Sequence, residues 1–300
     1  MIRVTPRCRP NLSVLVVWLT AGCGGEVDRT SARKDLQARD TVSSALAFDV
    51  DPGVGETEAY VCTRTSAATV RERFVREIVW TLPSDTVRVH HATLYTTSGE
   101  APVACDELPS RFAILHTIAP GGASLTLPEG VALHVPGDAE TLVVQAHVLR
   151  FAPGGASQAS VRWSSTTTVP THTAVWLDVL APVPAIRPHH VEVSSAACLL
   201  MGPVHLVSTW GHMHRRGRRF QGTLRRASGE TVSYLDESPW DVANQPVRPL
   251  DLDAAAGDAI ETRCTWENPT DEYVLPGVTS NDEMCTQGVV AWPEENARCQ

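Results

Sequence analysis

No apolar run in this sequence is long enough to cross a bilayer, and it has no sustained helical period, no C-x-x-C pair and no glycine-rich phosphate loop. A spanning helix needs about 20 apolar residues, so a polytopic membrane protein is excluded. An ordinary hydrophobic content of 43% agrees. Without C-x-x-C, the usual structural zinc and thioredoxin-type redox sites are not indicated. Neither a G-x-S-x-G elbow nor an H-E-x-x-H is present, so nucleophile-elbow hydrolysis and zincin chemistry find no support. Net positive charge is missing too. Twenty-five basic residues against 34 acidic ones give −9. The first 22 residues carry only Arg3, Arg7 and Arg9; without them the balance is 22 against 34, or −12. Such a chain is a poor partner for nucleic acid or an anionic membrane through its net field. The basic run Arg215 to Arg226 has no interleaved aromatic except Phe220, and reads as a solvated strand face or a patch for a small anion.

The N-terminus has the form of an export signal. Three arginines precede the apolar Leu12 to Leu19, and Thr20-Ala-Gly-Cys23 follows. Small residues before a cysteine resemble a bacterial lipobox. That predicts residues 1–22 as a lipoprotein-type signal, a lipidated Cys23, and membrane association only through that anchor. Leu19 stands one position further from the cysteine than the pattern has it. Ordinary cleavage nearby, giving a soluble secreted protein, is the alternative. Either route leads to an oxidising, extracytoplasmic compartment. Setting Cys8 and Cys23 aside leaves Cys62, Cys105, Cys198, Cys264, Cys285 and Cys299. An even set in an exported chain predicts three bridges and leaves about 15 connectivities open.

Residues 23–45 read as a polar tether. Beyond it, short β-branched segments alternate with turn clusters such as Pro120-Gly-Gly and Pro153-Gly-Gly. This predicts an all-β fold of two sandwiches, over 46–170 and 171–300, with the break near Pro170 and the proline-rich Ala181 to Pro188. Arg71 to Trp80 also admits a helix.

Histidines form two clusters. In Trp210-Gly-His212-Met-His214, on or at the end of a strand, residues two apart share a face. His212 and His214 then form half of a chelate, with Met213 pointing away. Alone, the pair fits equally two surface histidines in a basic turn. In Val87-Arg-Val-His90-His91, neighbours on a strand point to opposite faces, so joint ligation requires the strand to end or bulge there. Otherwise one is a core residue and the other exposed. His147, near the end of a buried-looking strand, is their candidate partner. Met284 sits in a polar loop beside Cys285, either as filler against a disulfide or as a soft thioether ligand that favours reduced copper. His116, His134, His172, His189, His190 and His205 have no comparable partners and read as structural or surface residues.

Together these motifs resemble the copper type II, ascorbate-dependent monooxygenases, which include peptidylglycine α-hydroxylating monooxygenase and dopamine β-monooxygenase. The resemblance covers roughly residues 46–300. Gly277-Val-Thr-Ser-Asn-Asp-Glu-Met-Cys285 is similar to the family's G-x-T-S-x-D-E-M-C loop. His212-Met-His214-Arg-Arg-Gly217 resembles its H-x-H-x-x-G, His90-His91 its paired histidines, Gln145-Ala-His147 its Q-x-H and Tyr60-Val-Cys62 its Y-x-C. The resemblance implies two coppers per chain. His90, His91 and His147 would hold an electron-transfer copper. His212, His214 and Met284 would hold the oxygen-activating one and carry catalysis. It further implies bridges Cys62–Cys105, Cys198–Cys299 and Cys264–Cys285. The implied architecture is two β-sandwiches, and their coppers, facing each other across a solvent-filled cleft. The implied activity is hydroxylation of a C–H bond in a small organic substrate, with O2 and a reductant such as ascorbate.

The peptide-amidating members carry a substrate-anchoring arginine where this chain has Trp210. The asparagine and tyrosine after their methionine are Thr286 and Gly288 here, so peptide amidation is not expected. Two other readings share the same residues: an extracytoplasmic copper carrier without turnover, and a zinc hydrolase, against which Met284 argues.

Overall fold

Strand formation follows the two-residue period of burial. In Gln158–Thr166, Ala159, Val161, Trp163 and Ser165 point inward while the residues between them are more accessible. The computed structural model describes residues 40–50, 58–83, 87–99, 105, 111–119, 124–150 and 158–299. The expected signal segment and Cys23 lie outside them. The strands are β1 (Val42–Asp49), β2 (Glu58–Ser66), β3 (Phe74–Thr81), β4 (Val87–Thr97), β5 (Phe112–Ile118), β6 (Leu125–Thr126), β7 (Val131–His134), β8 (Thr141–Arg150) and β9 (Gln158–Thr166). They continue as β10 (His172–Leu180), β11 (His190–Leu199), β12 (Val204–His212), β13 (Gly217–Arg225), β14 (Thr231–Glu237), β15 (Arg248–Ala254), β16 (Ala259–Asn268) and β17 (Thr286–Trp292). The all-β expectation holds. β1 opens inside the stretch expected as tether and pairs along its length with β9.

Two four-stranded sheets, β2-β8-β4-β5 and β11-β16-β13-β14, flank a nine-stranded sheet ordered β1-β9-β3-β7-β10-β17-β12-β15, with β6 on β3. The large sheet runs from the first half of the chain into the second. Its junction is the parallel pairing of β10 with β7, His172 opposite Val131. The apolar core crosses the same junction: Trp176, Trp210, Val247 and Val290 pack into the cluster built around Ile78, Leu94 and Val144. Residues 40–300 form one compact unit. Three bridges staple it, Cys62–Cys105, Cys198–Cys299 and Cys264–Cys285, as the resemblance implied. No helix among the described residues is long and apolar enough to cross a membrane. The disulfides point to an oxidising, extracytoplasmic setting.

The helical alternative for Arg71 to Trp80 is corrected to strand β3. A bulge between Val75 and Glu77 inserts one residue into the pairing with β9. The buried Val75 and Ile78 therefore stand three apart, a spacing that mimics a helix, while Ile78 and Trp80 keep the strand period.

Candidate metal centre

Backbone irregularities aim the histidines. The register of β4 on β8 shifts between Val89 and His91, so His90 is the extra residue of a bulge and His91 faces His147. This is the distortion that two adjacent ligands require. All three imidazoles are buried. In the second half, His212 is the last residue of β12 and His214 lies just beyond it. Met213 turns the other way into the core with Phe220 and Trp266.

The two clusters meet. Potential ligand atoms of His90, His91 and His147 lie within 4.8 Å of one another, and so do those of His90, His212 and His214. The ring centroids of His90 and His212 are 5.2 Å apart, and those of His91 and His212 4.9 Å. This corrects the expectation of two sites separated by open solvent. The sheet continues across β7 and β10, and the second half contributes to the first half's core. That packing brings the ends of β4, β8 and β12 to one place.

Three of the five rings, those of His147, His212 and His214, are oriented by a hydrogen-bond partner. The Gln245 amide nitrogen donates to Val242 O at 2.8 Å, so Gln245 Oε1 accepts from His212 Nδ1 at 2.7 Å. His214 Nδ1 donates to the Asp282 carbonyl at 3.1 Å. His147 Nε2 donates to Glu58 Oε1 at 2.7 Å. The opposite nitrogens, His212 Nε2, His214 Nε2 and His147 Nδ1, are buried without a hydrogen-bond partner, as are His90 Nε2 and His91 Nδ1. Five orphaned imidazole nitrogens in one nest are costly unless something accepts their lone pairs. A metal ion does that, and rings fixed through their other nitrogen are the usual support for one. Burial, and then the neighbouring imidazoles, hold His90 and His91 well below the ordinary histidine range. Burial and His214 do the same for His212. Burial brings His214 down to about 4 and lowers His147 against the pull of Glu58. The rings are therefore neutral near pH 7, the form that ligates.

Met284 sits in a pinned loop. Thr279 N and Oγ1 donate to Asp282 Oδ2 at 3.2 and 2.8 Å, and Cys285 is bridged to Cys264. A side chain at Gly277 would meet Asp282, its Cβ standing 2.5 Å from Oδ2. Glu283 is buried and accepts from His214 N at 3.0 Å, Arg216 N at 2.6 Å and Trp266 Nε1 at 2.9 Å. It thereby ties the loop to the turn carrying the H-x-H. Burial pushes its carboxyl up to about 7. Met284 is half-buried and lines a pocket of 340 Å³ together with His91 and His212.

Sequence reasoning missed Glu58, Gln245 and Glu283 as supports. Glu283 lay in view inside the loop motif, and Glu58 two residues before Tyr60-Val-Cys62. Gln245 carries no local signal. Glu58 also accepts from Ser280 N at 2.6 Å and Ser280 Oγ at 2.7 Å, so one carboxylate holds both His147 and the Met284 loop. Tyr60 stacks on His147 at 4.3 Å and donates to Val278 O at 2.9 Å. Other histidines stay outside the nest. His189 and His190 are exposed, and His116 is a core residue accepting from Trp80 Nε1 at 2.9 Å. The basic run is largely paired, with Arg218 on Glu267 and Arg219 on Asp236.

Gly288 on β17 faces the indole of Trp176; a Cβ there would stand 2.0 Å from Cζ2. Gly288→Ala is expected to displace that ring and to destabilise by about 1–3 kcal/mol, read by denaturant unfolding. An unchanged midpoint would show that the indole moves aside freely.

The fold and this nest define an all-β, disulfide-stapled protein with a buried histidine centre of metal-ligand geometry. Residues 177–300 match the model of the copper type II ascorbate-dependent monooxygenase C-terminal domain, so this part of the chain is similar to that family. No curated protein matches the chain. Among solved structures, allantoicase aligns at 8% identity over 74% of this chain and 81% of its own, with a TM-score of 0.23. The N-terminal CBM22-1-CBM22-2 tandem domain from Paenibacillus barcinonensis Xyn10C aligns at 9% identity over 84% and 93%, with a TM-score of 0.22. Likenesses at these scores carry no inference.

Proposed function

We propose that the chain is a copper-dependent monooxygenase that hydroxylates a C–H bond of a small organic substrate with O2 and a one-electron reductant such as ascorbate. Five orphaned imidazole nitrogens in two overlapping triads are the observation that carries this reading. In it, His90, His91 and His147 hold one copper, and His212, His214 and Met284 hold the other. Copper would supply one-electron cycling and activation of O2. The protein supplies the rest. Neutral rings accept the ion without first losing a proton, and Gln245, Asp282 and Glu58 fix their direction. The thioether of Met284 is a soft donor that favours the reduced ion and disfavours zinc. Export through residues 1–22 with lipidation at Cys23 is part of the same proposal.

Oxygen uptake by the copper-loaded protein with ascorbate tests it, run with and without a panel of amine and aryl-ethyl compounds. Substrate-dependent consumption with a hydroxylated product is expected. Stoichiometric copper with no such consumption for any compound would leave a copper carrier. Glu58→Ala is expected to weaken copper binding about 10–100-fold, because it frees the His147 ring and the Met284 loop together. An unchanged affinity in a chelator competition would remove Glu58 from the account.

A further inference from the structure

A run of aromatic rings leads from the nest into the core. Trp210 stacks on His212, with ring centroids 5.1 Å apart. The Trp176 indole follows at 6.5 Å, and His116 lies 5.9 Å beyond it. His116 accepts from Trp80 Nε1 at 2.9 Å, and Phe48 closes the run 6.1 Å past Trp80. Five strands, β1, β3, β5, β10 and β12, supply these rings.

Packing asks only that such rings be apolar and well fitted. Two features go beyond it. Both inner indoles point their N–H at a proton acceptor, Trp176 at Asp178 Oδ1 at 2.8 Å and Trp80 at His116 Nδ1. Surrounding protein pushes the Asp178 carboxyl up to about 6, which makes it a better base than an ordinary carboxylate. Gly288, opposite Trp210, leaves the room that keeps Trp176 within reach: a Cβ there would stand 2.0 Å from the Trp176 Cζ2. Indole is among the most easily oxidised side chains. Electron transfer falls off steeply with distance, so short steps between rings outrun one long step. An indole that has lost an electron is strongly acidic, and a base on its N–H stabilises it as the neutral radical.

We propose that Trp210, Trp176 and Trp80 form a relay that drains a strong oxidant from the histidine nest when no substrate takes it. The oxidant is of the hydroxyl-radical class, which copper held by the nest would generate from hydrogen peroxide. The relay rests on the copper-binding part of the proposed function and not on turnover. Trp210 gives the oxidant one electron, which with one proton from solvent makes water. Trp176 refills Trp210 and passes its N–H proton to Asp178. Trp80 then refills Trp176, which takes its proton back. An ascorbate-type reductant returns the electron to Trp80, whose side chain keeps an edge at the surface, with 8% of the residue exposed. Without the relay the oxidant attacks the soft thioether of Met284, which shares a pocket wall with Trp210 and His212.

The copper-loaded full chain, reduced with just enough ascorbate and given hydrogen peroxide without substrate, tests the relay. Freeze-quench EPR and peptide mass spectrometry are the readouts. A tryptophan radical that sharpens on indole deuteration is expected, with oxidised residues at Trp176 and Trp80. Trp163 and Trp266, also buried but outside the run, should stay unmodified. At equal copper content, Trp210→Phe should abolish modification of Trp176 and Trp80 and raise methionine sulfoxide at Met284. Asp178→Asn keeps the rings and removes the base; it should abolish the long-lived radical, and it serves where Trp210→Phe does not fold. The relay is overturned if Trp176 and Trp80 are modified equally in Trp210→Phe, equally in copper-free protein, or no more than Trp163. Substrate-dependent oxygen uptake with no tryptophan radical removes the relay and leaves the monooxygenase reading. A Trp210-dependent radical in protein that turns over no compound does the reverse. A chain that binds no copper removes both.

Discussion

Copper-loaded His212→Ala protein is expected to retain one metal ion per chain where the wild type retains two. His212 contributes its orphaned Nε2 to the triad with His90 and His214, while His90, His91 and His147 still form a complete set without it. Met284→Ala should have the same stoichiometric consequence with a milder loss of affinity, because two imidazoles remain. His90→Ala is different. His90 is a ligand of the first ion in this reading and also lies within 4.8 Å of the ligand atoms of His212 and His214, so its loss should remove the first ion and disturb the second. Elemental analysis after dialysis gives the count, and EPR of the oxidised protein separates copper from zinc. Substrate-dependent oxygen uptake should fall to background in His212→Ala. Two coppers persisting in His212→Ala, or none binding to the wild type, would dispose of the assignment.

Removing the Cys264–Cys285 bridge should cost both stability and the second site. The bond closes a loop of sequence separation 21. Chain entropy alone gives about 3 kcal/mol for a loop of that size. Cys285 adjoins Met284, and its carbonyl accepts from Ala181 N at 3.0 Å, anchoring the end of the loop. In the Cys264→Ala, Cys285→Ala double variant, unfolding should shift by roughly that amount, and one copper should become labile. The copper on His90, His91 and His147 should stay, since Glu58 still orients His147. Equal loss of both ions would mean that the loop does not act on one site alone.

Much of the histidine nest was legible because its candidate ligands are chemically distinctive and locally spaced. An H-x-H at a strand end shares a face by geometry. A histidine pair on one strand demands a bulge, and β4 has one at His90. The supports were not legible. Glu58 acts on His147 from 89 residues away, and Gln245 on His212 from 33. A carboxylate or amide at such a distance looks like any surface residue until the chain folds.

Residue chemistry and short-range spacing thus determined the all-β class, the oxidising compartment and the identity of the candidate ligands. Tertiary structure alone decided that the two histidine clusters share one nest. Separation in space is set by which strands pair and which cores merge. The β7–β10 junction and the shared apolar cluster depend on contacts between residues far apart in sequence, which no local pattern encodes.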